Sequence, residues 1–329
     1  MTRNLPTSND VVLAQKRIRS HVLETPVFRS RVLDEIAGAS LLIKAECLQE
    51  TGSFKLRGAT NRLLQIPDKE LSKGVVAFSS GNHAQGIARA ANRLGIPATI
   101  VMPADAPDVK IAGVRNDGAE IRLYDRDSEN REEIAEEIAA ERGAALVPSF
   151  DDPMIIAGQG TVGLELAAQA KAMGEHLDHL ICCTGGGGLI SGIALALEKV
   201  SPLTQVWTAE PEGHEDWQRS LETGHLQQNA PGTRSICDAI LTPSPGELTW
   251  AIGVSRLAGG CAVTDEHAFE AMRIAFRQLR VVIEPGGAVA LAAALFRLPE
   301  AAKGTKVGVV LTGGNVDPRL FAKVLNRSV

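Results

Sequence analysis

The stretch Leu180-Ile181-Cys182-Cys183-Thr184-Gly185-Gly186-Gly187-Gly188-Leu189-Ile190-Ser191-Gly192 decides the fold. An apolar run ends in a threonine, four successive glycines follow, and a helical pattern begins. Continuously apolar residues suit a strand buried on both faces, as in parallel sheets. Successive glycines let backbone N–H groups converge without side-chain obstruction. At a strand-to-helix junction this makes an anion nest, backed by the helix dipole. There is no GxxxxGK[ST] pattern, which argues against a P-loop nucleotide site, and no GxGxxG with a following ribose-binding acid. A single small phosphate is the better fit.

Outward from that stretch, short β-branched runs alternate with longer helical patterns, the signature of α/β architecture. Strands are predicted at Leu41–Ala45, Val75–Ser79, Thr99–Met102, Glu120–Leu123, Leu180–Cys183, Gln205–Ala209 and Val307–Leu311. Helices are predicted at His83–Leu94, Ser128–Arg142, Ala157–Met173 and Asp265–Leu279, with Ser128 and Asp265 as N-caps. The Gly-, Pro- and Ser-rich stretch from Glu222 to Pro245 reads as a loop near a site. A length of 329 residues allows one large domain or two intertwined lobes.

Composition excludes several classes. The net charge of -5 comes with no basic block, so nucleic acid is not an expected partner. No apolar run is long enough to span a bilayer, and the first residues lack the apolar core of a signal peptide. The five cysteines form no CxxC pair, which reads as reduced thiols in a cytoplasm. No HExxH pattern points to zinc.

Two further motifs carry chemistry. In Thr51-Gly52-Ser53-Phe54-Lys55-Leu56-Arg57-Gly58-Ala59, a lysine stands between a polar turn and a helix start. The positive helix end and partial burial would lower the pKa of Lys55 from its ordinary ~10.4. Such an amine can form an imine with an aldehyde and later act as a base. In Ser79-Ser80-Gly81-Asn82-His83-Ala84-Gln85-Gly86, another strand-to-helix turn, backbone N–H groups can bind a carboxylate and Asn82 can donate to a ring oxygen. His83 reads as a helix-start residue rather than a catalyst.

These motifs, with ETPVFRS (Glu24 to Ser30), IAGQGT (Ile156 to Thr161), AEP (Ala209 to Pro211), IEPGGA (Ile283 to Ala288) and LTGGNVD (Leu311 to Asp317), occur in an order that resembles the fold-type II pyridoxal-phosphate (PLP) enzymes. The resemblance is to the branch of threonine and serine dehydratases and serine racemase, with hydroxyaspartate dehydratases among the possibilities. It implies a tryptophan-synthase-β-like fold of two α/β lobes with mixed or parallel sheets. Residues 1–49 and 151–329 would form a large PLP-binding lobe and 50–150 a small mobile one. Lys55 would be the Schiff-base lysine and Phe54 would pack beside the cofactor ring. Asn82 would bond the phenolic oxygen. Gly185, Gly186, Gly187, Gly188 and Leu189 would hold the phosphate. Thr312 would face the pyridine nitrogen, with Glu284 near that side of the ring. A hydroxyl there does not hold the nitrogen protonated, which weakens the electron sink and favours prompt loss of a β leaving group.

The activity so implied is β-elimination from a β-hydroxy amino acid (threonine, serine or 3-hydroxyaspartate) to a 2-keto acid and ammonia. Lys55 would remove the Cα proton. Ser79, Ser80, Gly81, Asn82 and His83 would bind the substrate. A guanidinium suits a second carboxylate, so Arg131 keeps 3-hydroxyaspartate a candidate; helix contacts with neighbouring acids are its other reading. One alternative is a racemase using Lys55 and Ser80 on opposite faces of Cα. Another is a non-catalytic PLP-binding protein. The resemblance also implies a divalent cation, Mg²⁺ or Ca²⁺, on Glu210, Asp216 and the backbone carbonyl of His214. A homodimer is expected, and no regulatory domain after Asn315.

Overall fold

Strands buried on both faces should show both faces apolar. In the computed structural model, which describes residues 5–79, 81–106 and 108–326, the central strands do so. The ten strands are β1 (Val27–Phe28), β2 (Ser40–Ala45), β3 (Val75–Phe78), β4 (Ala98–Pro103), β5 (Glu120–Tyr124), β6 (Ala145–Leu146), β7 (His179–Cys183), β8 (Gln205–Pro211), β9 (Leu257–Val263) and β10 (Lys306–Leu311). They form a six-stranded sheet, ordered β1-β2-β10-β7-β8-β9, and a four-stranded sheet, ordered β5-β4-β3-β6. Every pairing is parallel except that of β1 with β2. The α/β reading is correct.

Alternate residues of each central strand feed different cores, as the two-residue period requires. Leu41, Ile43, Ile181, Val309 and Leu311 pack under the helices Arg31–Ala37, Asp265–Ile274 and Pro285–Phe296. Leu42, Leu180, Cys182 and Val310 face the helices Pro153–Ala172 and Gly188–Val200. The four-stranded sheet, drawn from residues 75–146, is covered likewise. Val75, Ala77, Ile100 and Met102 pack with Leu56, Ile87 and Val114, while Val76 and Val101 pack with Ala135 and Ala139.

All seven predicted strands are present, with ends shifted by one or two residues. Missed were β1 and β6, two residues each, and β9, whose Gly259-Gly260 breaks the apolar pattern. The helix predicted from Ser128 begins at Arg131 with Asn130 as cap, accepting from Glu132 N and Glu133 N. The helix predicted from Asp265 is capped one residue earlier by Thr264, in a capping box with His267. It ends at Ile274 and continues as a π-helical turn, Ala275–Leu279. The helix predicted from Ala157 starts at Pro153, where Asp152 caps it and proline occupies its first turn. No described helix is long and apolar enough to cross a membrane.

One buried feature left no pattern in the sequence. Lys44, Glu46 and Arg57 are fully buried, and Glu165 nearly so. The Arg57 guanidinium donates to Glu46 (Nε to Oε2, 2.8 Å) and to Glu165 (Nη1 to Oε1, 2.6 Å). Lys44 Nζ donates to Glu165 Oε2 at 2.7 Å and to the carbonyl of Thr25 at 2.8 Å. Two cations and two carboxylates therefore neutralise one another, and the Arg57 guanidinium holds Glu46 below the usual carboxylate range despite burial. The cluster joins β2, the turn after it, the helix Lys55–Leu63 and the helix Pro153–Ala172. Arg57→Met removes one cation and strands two buried carboxylates. It should cost about 3–5 kcal/mol, read as a lowered urea midpoint with an unchanged slope.

Candidate functional site

The cavity lies where loops after parallel strands converge, the usual place for ligands in α/β sheets. Its volume is about 650 Å³. After β3 comes the loop with Ser79 and Gly81, and then the helix Asn82–Leu94. After β7 come Thr184 and the glycine loop, and after β10 comes Thr312. The cavity lining includes Phe54, Lys55, Ser79, Gly81, Asn82, His83, Arg131, Gly185, Gly186, Gly187, Gly188, Leu189, Glu284 and Thr312. The fold thus brings together residues up to 258 positions apart, from Phe54 to Thr312. Ser80 lies outside the described residues.

Lys55 opens the helix Lys55–Leu63 and has no side-chain cap before it. Its Nζ donates to the carbonyl of Ser149 at 2.8 Å and stands 5.3 Å from the centre of the Phe54 ring. Protein surrounds the amine except where it meets the cavity. Burial lowers its pKa to about 8, against the pull of the Glu284 carboxylate. The sequence expectation of a lowered pKa agrees, with burial as the largest cause. The loop before Lys55 is pinned to the turn after β10. Phe54 N donates to the carbonyl of Thr312 at 3.2 Å, and Ser53 bridges Gly313.

The glycine loop is a cradle with no room for side chains. A Cβ on Gly186 would lie 2.5 Å from the Phe150 ring, and one on Gly188 would lie 3.0 Å from Phe150 Cα. Gly187 has a φ of 93°, a left-handed conformation that favours glycine. It caps the helix Gly188–Val200 without any side-chain acceptor. The first N–H groups of that helix are therefore free of a capping side chain and face the cavity end.

Glu284 is fully buried, and Asn82 Nδ2 donates to its Oε1 at 2.5 Å. Burial pushes the Glu284 carboxyl up to about 7, with Asn82 opposing. Asn315 Nδ2 donates to Asn82 Oδ1 at 2.8 Å and so sets the orientation of the Asn82 amide. His83 is buried, bonded through Nε2 to the carbonyl of Val147 at 3.1 Å, and held near a pKa of about 3 by burial and by Lys55. It lies in the first turn of the helix Asn82–Leu94, where the sequence placed it. Thr312 is buried beside the Cys183 thiol. Arg131 is 45% exposed, with its guanidinium 5.5 Å from the Phe78 ring and 3.7 Å from Glu132.

Sequence reasoning missed Lys110, Phe150 and Asp238 as lining residues. The Ser/Pro-rich loop up to Pro245 does reach the cavity, and its turn-forming composition was the available signal. Glu210, His214 and Asp216 lie outside the lining, beyond the glycine loop. Glu210 accepts from Trp217 N and Gln218 N, both at 2.9 Å. Burial first, then the nearby Asp216 charge, push Glu210 well above its ordinary pKa. Asp216 Oδ2 and both ring nitrogens of His214 have no hydrogen-bond partner. Among the described residues no group of three or more His, Cys, Asp or Glu side chains is placed to hold a metal.

Comparison with known proteins gives a matching picture. The family model "Pyridoxal-phosphate dependent enzyme" matches residues 18–313. An L-threo-3-hydroxyaspartate ammonia-lyase of Saccharomyces cerevisiae is 43% identical, covering 98% of this chain and 97% of its own. A protein of the same name from a Pseudomonas species is 44% identical, covering 98% and 99%. The solved structure of maize serine racemase superposes with a TM-score of 0.92 at 37% identity, covering 97% of each chain.

The Glu284 carboxyl gives the site a measurable pH dependence. Its folded pKa is raised, so its stabilising contribution is complete below about 4.5 and is lost as pH rises through about 7. Relative to Glu284→Gln, the cofactor-free wild type should lose on the order of 3 kcal/mol between pH 4.5 and 8. Urea unfolding of both proteins across that range would measure it; parallel curves would contradict it.

Proposed function

We propose that 3-hydroxyaspartate is the substrate of this chain, which belongs to the family of pyridoxal-phosphate-dependent enzymes and is a PLP-dependent ammonia-lyase acting on β-hydroxy amino acids. The observation that carries the substrate assignment is one cavity that holds the desolvated Lys55 amine, the glycine cradle and, at its wall, cations beyond those the reaction itself uses. The likeness to two hydroxyaspartate ammonia-lyases supports it.

The residues present fit the cofactor. The cradle of Gly185, Gly186, Gly187 and Gly188 has no room for a Cβ at Gly186 or Gly187 and little at the other two, and it leaves helix N–H groups for a phosphate. When bound, pyridoxal phosphate supplies an electron sink that acidifies the Cα–H bond of an amino acid joined to it. Lys55 is assigned both the covalent attachment and the removal of the Cα proton. A lysine pKa of about 8 leaves an appreciable neutral fraction near neutral pH, which a base requires. Phe54 flanks Lys55, and Asn82, Glu284 and Thr312 are assigned to the ring's polar edge. The neutral Thr312 hydroxyl cannot supply the charge with which a carboxylate would hold a ring nitrogen protonated. With the Cα proton taken up by Lys55, one proton would leave with the β-hydroxyl as water, and uptake of a second water would give a 2-keto acid and ammonia.

The segment from Ser79 through Ser80, Gly81, Asn82 and His83 is assigned to the substrate's α-carboxylate, and Arg131 to the outer wall that faces a second one. Closure of a small lobe, residues 50–150, over a large lobe would exclude water. Glu210, the His214 carbonyl and Asp216 are proposed to hold Mg²⁺ or Ca²⁺. The unpartnered, buried Asp216 Oδ2 supports this, since an anionic oxygen without a partner suits a hard cation. Trp217 links that region to the cradle, because its Nε1 donates to the Gly185 carbonyl at 2.8 Å. A homodimer in the cytoplasm completes the proposal; five free, buried cysteines agree with a reducing compartment. A second reading, racemisation with Ser80 as the opposite-face acid, draws support from the likeness to maize serine racemase.

Lys55→Ala is expected to abolish borohydride-reducible cofactor attachment and to lower turnover by at least about a thousandfold; retained turnover would sink the scheme. Loaded wild type should release ammonia and keto acid from 3-hydroxyaspartate faster than from serine or threonine. Chiral analysis of unreacted substrate separates lyase from racemase. Chelation should lower the melting temperature of wild type but not of Asp216→Asn, and Mg²⁺ or Ca²⁺ should restore it.

A further inference from the structure

Three cationic side chains line the cavity among the described residues: Lys55, Arg131 and Lys110. Lys55 has its task. Arg131, assigned to the outer face of the second carboxylate, is 45% exposed, over Phe78 and near Glu132, and does not enclose a ligand by itself. Lys110 is different. Only 13% of its side chain is exposed, and it reaches from the helix Asp108–Asn116 to Asp238, 128 residues later, with Nζ 2.9 Å from Asp238 Oδ2. Its ammonium also lies against the loop assigned to the α-carboxylate: a Cβ built on Gly81 would stand 3.7 Å from Lys110 Nζ.

From this geometry we propose that Lys110 recognises the second carboxylate of a dicarboxylic substrate, and that Asp238 holds its place until the substrate arrives. The proposal rests on the dicarboxylate reading above and deepens it. Lys110 is enclosed and needs an anion beside it. Asp238 is 59% exposed, on a short turn after a loop, and is the partner that water can take back. With the α-carboxylate taken by the backbone of the Gly81 loop, a second carboxylate that reaches Lys110 replaces Asp238, so Lys110 is not left unpaired at any stage. Serine and threonine carry no such group and leave the pair intact. Discrimination then comes from an ion pair that only a dicarboxylate can form.

The test is calorimetric titration of the PLP-loaded protein with malonate, a dicarboxylate that cannot undergo elimination. Lys110→Met should weaken malonate binding at least about ten-fold, and Asp238→Asn, which removes the competitor, should tighten it several-fold. A cross-link that only holds the wall together predicts the same direction for both variants, or no change in either; both results overturn the proposal. So does a wild type that does not bind malonate. The ratio of kcat/KM for 3-hydroxyaspartate to that for threonine should fall at least about ten-fold in Lys110→Met; an unchanged ratio contradicts it. If Lys110→Met does not fold or load, Lys110→Gln keeps the stem and gives the same reading, and Asp238→Asn remains an independent arm. A wild type that binds malonate but releases no ammonia from 3-hydroxyaspartate refutes the substrate assignment alone, while the malonate titrations still judge Lys110.

Discussion

Arg57 is the residue on which the placement of the site depends. Its guanidinium is fully enclosed and clamps Glu46 and Glu165, while Lys44 takes the remaining charge of Glu165. Only Leu56 separates it from Lys55, so fixing Arg57 fixes the first turn of the helix that presents the Lys55 amine to the cavity. A buried ion cluster contributes little net stability over apolar packing. Its value is geometric, because a bidentate guanidinium tolerates few orientations. Glu165 brings in the long helix Pro153–Ala172, and Glu46 the turn after β2. The helix bearing Lys55 is thus locked to the six-stranded sheet through charge, while Leu56, Ala59 and Leu63 pack with the four-stranded sheet.

The rest of the cavity follows from parallel strands. A parallel sheet gathers its strand-to-helix turns at one edge, and here the turns after β3, β7 and β10 bring Ser79 and Gly81, the glycine loop and Thr312 to a common space. Each turn also braces another. Asn315 orients Asn82, Asn82 bonds Glu284, and the Thr312 carbonyl holds Phe54 beside Lys55. The site therefore combines rigid donors with two groups of shifted acidity. Burial lowers a lysine to about 8 and raises a glutamic acid to about 7, so both can change protonation near neutral pH.

Charge is distributed unevenly around this space. The inner end holds Lys55 against Ser149 and Glu284 against Asn82. The outer wall carries Lys110 with Asp238, and Arg131 with Glu132. A second carboxylate on the proposed substrate would find cations on this wall, and two relatives of the chain are hydroxyaspartate ammonia-lyases.

Local signals in the sequence determined much of this protein. The run from Leu180 to Gly192 was readable as strand, anion cradle and helix because apolar continuity and glycine act within a few residues. That Lys55, the loop with Ser79 and Gly81, and Thr312 line a cavity was readable because each stands at a turn of marked composition before a helix or after a strand. The helix starts were misplaced by one to four residues, since Asn130, Thr264 and Asp152 competed with neighbouring polar residues for the cap. Only the tertiary structure decided the rest. Lys44, Arg57 and Glu165 look like ordinary helix and strand charges until folding encloses them together. Lys110 and Asp238 lie on separate elements 128 residues apart and meet only in the folded chain. Pairing between distant charges depends on where the chain returns, and no short-range pattern of residues encodes that.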